Sequence, residues 1–132
     1  AEHAAVYVFG VLGAQTSRSA QPILFDQLSA AYVAHRAERD RLVRAVRDLG
    51  GEPVAAEPAY QVPERLDDPA VARRVAADLE SDCAATWGWV VAGTRGEGRA
   101  DAVAALIRAA VRELAFRGTP EMFPGADEHA DR

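Results

Sequence analysis

The chain has 132 residues, enough for one domain with a single hydrophobic core. Hydrophobic residues make up 49% of it and aromatic residues only 7%, so we predict an all-α fold whose helices approach closely through many small contacts. The net charge is −5, and all 15 basic residues are arginines that form no basic run. Nucleic acid is therefore excluded as an expected partner.

The single cysteine, Cys83, excludes an internal disulfide and a zinc site built from cysteines. We expect a buried, inert thiol and a reducing, cytoplasmic location. No apolar run approaches the roughly 18 residues that a membrane-spanning helix needs, and no signal peptide is visible, so no membrane association is expected. Ala1 already lies in a helical pattern, which leaves open whether residues precede it.

Four helices are predicted, near residues 1–15, 22–49, 69–92 and 100–117. The second begins at Pro22, because proline is favoured in the first turn, and Gly50 stops it. Asp68 and Pro69 are typical of a helix start, as N-cap and first helical residue. The fourth follows a glycine-rich turn and ends at Gly118.

A long irregular segment, residues 50–68, joins the second and third helices, and its three prolines block helix formation. At roughly 3.3 Å per extended residue it can return along a whole helix, so the helices it joins can be parallel. We therefore predict one domain over residues 1–132, an antiparallel four-helix bundle with a long crossover between helices 2 and 3. The acidic tail from about residue 119 is expected to be largely frayed, with His129 in solvent.

Apolar spacing predicts which residues face the core or hold the crossover in place. The predicted inward positions are Glu2, Ala5, Val6, Phe9 and Gly13 in helix 1; Phe25, Leu28, Tyr32, His35, Arg39, Leu42, Val46 and Leu49 in helix 2; Ala76, Leu79, Glu80, Cys83, Trp87 and Val90 in helix 3; and Val103, Leu106, Ile107, Ala110, Val111 and Leu114 in helix 4. The crossover is expected to attach through Val54, Tyr60, Val62 and Leu66. Ionisable residues thus interrupt otherwise apolar faces.

Short motifs occur in order along nearly the whole chain. They are Glu2-His3-Ala4-Ala5-Val6-Tyr7, His35-Arg36 with Arg39-Asp40, Ala59-Tyr60-Gln61-Val62-Pro63 followed by Asp68-Pro69, Leu79-Glu80 with Cys83-Ala84-Ala85, and Phe116-Arg117-Gly118 with Phe123-Pro124-Gly125. In this order and spacing they resemble an actinobacterial family of ferritin-like domains of unknown function. The resemblance implies a ferritin-like bundle, a class that includes oxidases, iron stores, hydroxylases and members without metal.

A di-iron site in that fold needs one glutamate from each of two helices and a Glu-x-x-His pair from each of the other two. Glu2 and Glu80 match the single glutamates, but helix 2 has the reverse order, His35-x-x-Glu38. Helix 4 has no histidine and offers only Arg108, Arg112 and Glu113. Two of six ligands match, so the resemblance does not carry a di-metal site to this chain.

Two interpretations of the ionisable residues remain, besides a proton-handling role. The first is a buried polar cluster of Glu2, His35, Arg39 and Glu80, in which the Arg39 guanidinium supplies the positive charge that a metal would bring. The second is an atypical iron or manganese site drawn from Glu2, His35, Glu38, Glu80 and Glu113. The first interpretation predicts no catalytic residue, no metal and no other cofactor.

Two functional hypotheses follow. One is a non-enzymatic module that self-associates or binds a protein partner, with a homodimer as the expected state because a thin alanine-rich bundle leaves apolar surface uncovered. The other is a metal-dependent oxidoreductase. Trp89 is expected at an interface and His3 at the boundary of the core. Tyr7 and Tyr32 are expected either to hydrogen-bond into the polar cluster or to pack.

Overall fold

The computed structural model describes residues 1–126, which contain four α-helices and no strand. The helices are α1 (Glu2–Gln15), α2 (Pro22–Asp48), α3 (Pro69–Gly93) and α4 (Gly96–Arg117). The predicted all-α class and the number of helices are confirmed. The first three helices begin and end within one residue of the predicted limits. His129 lies outside the described residues.

The fourth helix begins four residues before its predicted start. Gly96 has a φ of +58°, a left-handed conformation that favours glycine, so the chain turns sharply at this residue and enters the helix at once. The Arg99 Nε–H donates to the Thr94 carbonyl oxygen at 2.7 Å and ties the first turn of α4 to the end of α3. Gly96 therefore belongs to α4, and the turn between α3 and α4 consists of residues 94 and 95 only.

The start of α3 follows the predicted capping arrangement. The backbone N–H of Ala70 donates to Oδ1 of Asp68 at 2.9 Å, and Pro69 is the first helical residue. Oδ2 of the same carboxylate accepts a hydrogen bond from Arg65, also at 2.9 Å. Both carboxylate oxygens of Asp68 are thus hydrogen-bonded, which fixes where the irregular segment ends and α3 begins.

The chain divides into two compact units, Ala1–Ala72 and the residues from Arg73 onward. In the first unit, α1 packs against α2 as a helical hairpin joined by residues 16–21. Thr16 closes α1 by donating from its hydroxyl to the Leu12 carbonyl at 2.8 Å. The organisation of residues 1–132 as one domain stays a prediction.

The irregular segment of residues 50–68 contacts α1 in the first unit. His3 is half-buried, as predicted, and its Nε2 lies 3.0 Å from the Val54 carbonyl oxygen. The Tyr60 ring packs against Tyr7 with ring centroids 5.6 Å apart, and Leu66 is buried. Tyr60 thus packs on α1 and Leu66 is buried, as expected, whereas Val54 contributes its backbone and leaves its side chain exposed.

The buried side of α1 and α2 is close to the predicted one but ends early on α2. The buried residues are Glu2, Ala5, Val8, Phe9 and Leu12 on α1 and Leu24, Leu28, Ala31 and His35 on α2. None of the residues 36–48 of α2 is buried, and Leu49 is exposed. The predicted inward run therefore stops at His35, and Arg39 lies in the partly exposed half of the helix.

The second unit has a core of small residues. Its buried residues are Ala76, Ala77, Glu80, Cys83, Ala84 and Trp87 on α3 and Ala102, Ala105, Ala109, Glu113 and Phe116 on α4. Cys83 and Trp87 are buried as predicted, and Trp89 is 79% exposed. The predicted inward face of α4 is wrong, because the buried side is the alanine face. The larger residues Val103, Ile107, Val111 and Leu114 are exposed on the other side.

Candidate functional site

A buried carboxylate and a buried imidazole meet in the first unit. Nδ1 of His35 lies 2.8 Å from Oε2 of Glu2, and the two residues are only 1% and 7% exposed. An ionised carboxylate can only accept, so Nδ1 carries the proton and donates it. Glu2 stands in the first turn of α1, where the helix dipole also favours a negative charge. We call these two residues the Glu2–His35 pair.

The imidazole of this pair is held on a second side by an aromatic ring. Phe9 stacks on His35 with ring centroids 5.2 Å apart and an interplanar angle of 15°. Phe9 is fully buried and lies two helical turns beyond Glu2 on α1, so one helix supplies both the hydrogen-bond acceptor and the stacking surface. The ring of His35 is therefore fixed in both position and orientation.

The two tyrosines on these helices pack and do not reach the Glu2–His35 pair through the interactions that the structure describes. Tyr7 packs against Tyr60. Tyr32 lies against Gly10, where an added Cβ would come within 3.5 Å of its ring, and the Arg36 guanidinium stands 5.6 Å from its ring centroid. Of the two alternatives for these side chains, the structure favours packing.

The predicted place of Arg39 is wrong. Its Nε–H and Nη2–H donate to Oδ1 of Asp40 at 2.9 and 2.7 Å, and its side chain is 26% exposed. This hydrogen bond lowers the pKa of the Asp40 carboxyl from its ordinary value. The arginine stem is long enough to carry its charged end to the helix surface, and α2 has no buried residue beyond His35. Arg39 therefore neutralises a surface carboxylate.

Glu38, which the metal interpretation includes, is also held by an arginine. Nη2 of Arg41 donates to Oε1 of Glu38 at 2.6 Å, and Nε of the same guanidinium donates to both carboxylate oxygens at 3.2 and 3.3 Å. The first unit thus brings together two of the predicted site residues, Glu2 and His35. The Glu38 carboxylate is hydrogen-bonded to Arg41 on the same helix.

The second unit contains a separate group of charged side chains, which we call the carboxylate–arginine cluster: Glu80, Arg112, Glu113, Arg117 and Glu121. Nε of Arg112 donates to Oε1 of Glu80 at 2.7 Å, although Glu80 has no exposed surface. Nη1 of Arg117 donates to Oε2 of Glu121 at 2.6 Å, and Nη2 of the same guanidinium forms an ion pair with Glu113. One arginine therefore serves two carboxylates.

Glu113 has an altered affinity for its proton. Burial raises its pKa to about 6 against the opposing attraction of Arg117, and the nearby carboxyl groups of Glu121 and Glu80 raise it further. Glu113 is 2% exposed. It therefore takes up a proton close to pH 6, more than a pH unit above an ordinary glutamate.

The sequence indicates Glu80 as a site residue but not its partner. Arg112 and Glu113 follow each other on α4, and the sequence suggests Glu113 only as a ligand of the atypical metal site and gives Arg112 no role there. A usable signal is the spacing of Ala102, Ala105, Ala109, Glu113 and Phe116, which places Glu113 on one face with the alanines. That face is recognised only once the alanines are taken as the packing surface.

The fold and these sites define an all-α protein with a buried carboxylate–histidine pair and a carboxylate–arginine cluster. The chain belongs to the family described as domain of unknown function DUF4439, whose model matches residues 1–128. It is similar to the solved structure of a conserved hypothetical protein, rv2844, from Mycobacterium tuberculosis, with a TM-score of 0.78 and 27% sequence identity. The match covers 89% of this chain and 86% of that chain. The search of curated proteins gives no match.

Among the described residues, no helix is both long and apolar enough to cross a membrane.

Proposed function

We propose that this domain is a ferritin-like, non-enzymatic module that works in the cytoplasm by pairing with a second copy of itself through α4. Four helices, with a long irregular segment between the second and third, support the ferritin-like part of the proposal, and the crossover itself is part of what we propose. Actinobacterial origin stays a prediction from the motif resemblance. The observation that carries the pairing is the outward side of α4.

Four large apolar residues form a stripe along that outward side. Their exposed fractions are 39% for Val103, 54% for Ile107, 60% for Val111 and 38% for Leu114. The spacing of four, four and three residues places them on one face of the helix. No charge interrupts the stripe, so two copies placed face to face meet without repulsion. A continuous exposed apolar face of this kind is typical of an association surface.

The pairing is tested by substituting one member of the stripe. Light scattering on the wild type at tens of micromolar should give twice the chain mass of 14.1 kDa. Val111→Asp should return the mass to that of one chain, because each copy would place a charge in the contact. Val33→Asp is the matched control, a valine on α2 that is 62% exposed and stands outside the stripe. It should leave the dimer intact.

Two results would contradict the pairing through α4. The first is a wild-type chain that is monomeric at these concentrations. The second is a dimer that Val111→Asp and Val33→Asp affect equally, since that would place the contact elsewhere.

The non-enzymatic part of the proposal rests on the arginines of the second unit. Arg112 is hydrogen-bonded to Glu80 and Arg117 is ion-paired with Glu113, so positive charge already lies against two carboxylates of the metal interpretation. A divalent cation placed there would face two guanidinium groups that cannot lose their charge. This arrangement supports a charged structural cluster over an iron or manganese site.

Adding metal tests this part directly. A ligand present at a hundred times its dissociation constant stabilises the folded state by about 2.7 kcal/mol, which a thermal scan registers easily. We expect iron, manganese and zinc each to leave the Tm of the protein unchanged, whether or not it is first treated with a chelator. A saturable rise in Tm with one of these metals, abolished by Glu80→Gln, would favour the oxidoreductase hypothesis instead.

A further inference from the structure

The residues after α4 fold back onto the second unit as a strap, Gly118–Ala126. Gly118 has a φ of +82° and turns the chain out of the helix. Gly125 then lies directly against α3 and α4. A Cβ added to Gly125 would stand 2.7 Å from the Ala84 carbonyl oxygen and 3.4 Å from Leu106. A Cβ added to Gly88 would stand 3.0 Å from the Gly125 carbonyl oxygen.

This close approach of backbone to backbone requires glycine on both sides. Gly125 also has a φ of +81°, a conformation that other residues rarely adopt. The end of the strap is therefore seated in a position shaped for it. Gly125 approaches Ala84 and Gly88 of α3 through backbone atoms.

The beginning of the strap is held by charge. Glu121 lies on the strap and accepts from Arg117, and the same guanidinium is ion-paired with Glu113 on α4. Glu121 has a side-chain exposure of 13% and Glu113 of 3%, so both carboxylates are largely withdrawn from water. Two carboxylates beside one guanidinium leave an excess of negative charge at this point.

The charged groups that face Glu113 come from three elements. Arg117 lies on the same helix, Glu121 on the strap and Glu80 on α3, where Arg112 already binds it. A proton on Glu113 removes the repulsion from Glu121 and Glu80 and allows the two carboxyl groups of Glu113 and Glu121 to hydrogen-bond to each other.

We propose that the strap is a proton-operated clasp, closed when Glu113 is protonated and hydrogen-bonded to Glu121 and loosened when Glu113 is ionised. Burial and the neighbouring carboxylates raise the pKa of Glu113 to about 6, and release of the strap removes the part of this rise that Glu121 causes. The closed form therefore holds the proton more tightly than the open form. Closure is favoured at acidic pH, and the advantage is lost as pH rises through about 6.

Linkage therefore predicts that the equilibrium constant for opening the strap is larger at pH 7.5 than at pH 5.0. Amide hydrogen exchange of a peptide covering residues 118–126 measures it, after correction for the intrinsic exchange rate at each pH. The peptide covering α1 is the internal reference, and its protection should change much less.

Two isosteric variants test the assignment. Glu113→Gln cannot ionise, so the strap should show the same protection at both pH values, close to that of the wild type at pH 5.0. Glu121→Gln should also reduce the pH dependence, because it removes the carboxylate that repels Glu113. Glu97→Gln, an exposed glutamate in the first turn of α4, is the control and should keep the full wild-type change.

Three outcomes would overturn the clasp. The first is equal protection of the strap at pH 5.0 and 7.5 in the wild type. The second is a full pH dependence that persists in Glu113→Gln. The third is an α1 peptide that loses protection by the same factor as the strap, which would mean that the whole chain opens and not the strap alone.

Discussion

Replacing Arg112 by leucine should lower the free energy of unfolding by about 3–5 kcal/mol, the usual cost of removing one partner from a buried ion pair. Arg112 donates to Glu80 at 2.7 Å, and Glu80 has no exposed surface. The variant leaves that carboxylate without its guanidinium in a core of alanines. For a chain of this length the Tm should fall by about 10 °C or more in a thermal scan.

The matched control is the same substitution at Arg39. This arginine has almost the same side-chain exposure, 26% against 23%, but its partner Asp40 is half exposed. Solvent and salt screen such a pair, so Arg39→Leu should leave the Tm nearly unchanged. An equal fall in Tm in the two variants would show that the stability depends on packing of the aliphatic part of each arginine side chain, and not on the burial of its carboxylate partner.

The contrast between Arg39 and Arg112 also shows which feature of the site cannot be predicted from the sequence. Each arginine lies near an apolar face of its helix, and each is close in sequence to an acid. Periodicity can place a side chain on a face, but it cannot tell which of two long side chains reaches a buried carboxylate. That choice depends on how far the buried part of each helix extends, and on α2 it ends at His35.

The helix limits were predictable because their signals are local. Asp68 caps the start of α3 by accepting a hydrogen bond from the backbone N–H of Ala70, two residues later, and Pro69 is the first helical residue. Gly118 ends α4 through its own positive φ. Neither signal needs a partner elsewhere in the chain. Gly96 is the instructive exception, since a glycine that suggested a longer turn instead permits a tighter one.

The packing face of α4 was not predictable from hydrophobicity alone. This helix has two apolar faces, one of alanines and one of Val103, Ile107, Val111 and Leu114. A hydrophobicity scale ranks the second face higher, because larger side chains remove more surface from water. The structure buries the alanines, since small residues allow backbones to approach closely. The larger residues then remain exposed.

Replacing His35 by alanine should lower the free energy of unfolding by about 3–5 kcal/mol, because two costs add. Loss of a fully buried ring leaves a cavity beside Phe9, whose ring it stacks on. Loss of the Nδ1–H also removes the donor to Glu2, which is 7% exposed. Urea unfolding followed by circular dichroism gives the difference, and an unchanged slope shows that the compared states are the same.

Two further variants separate these costs. His35→Phe keeps a ring for stacking but no donor, so it should retain part of the lost stability. His3→Ala is the histidine control, since that ring is half-buried and its hydrogen bond is to an exposed backbone carbonyl, and it should cost less than 1 kcal/mol as an ordinary surface change. If His35→Phe is as stable as the wild type, the hydrogen bond to Glu2 contributes nothing net. The Glu2–His35 pair would then be tolerated in the core without stabilising it.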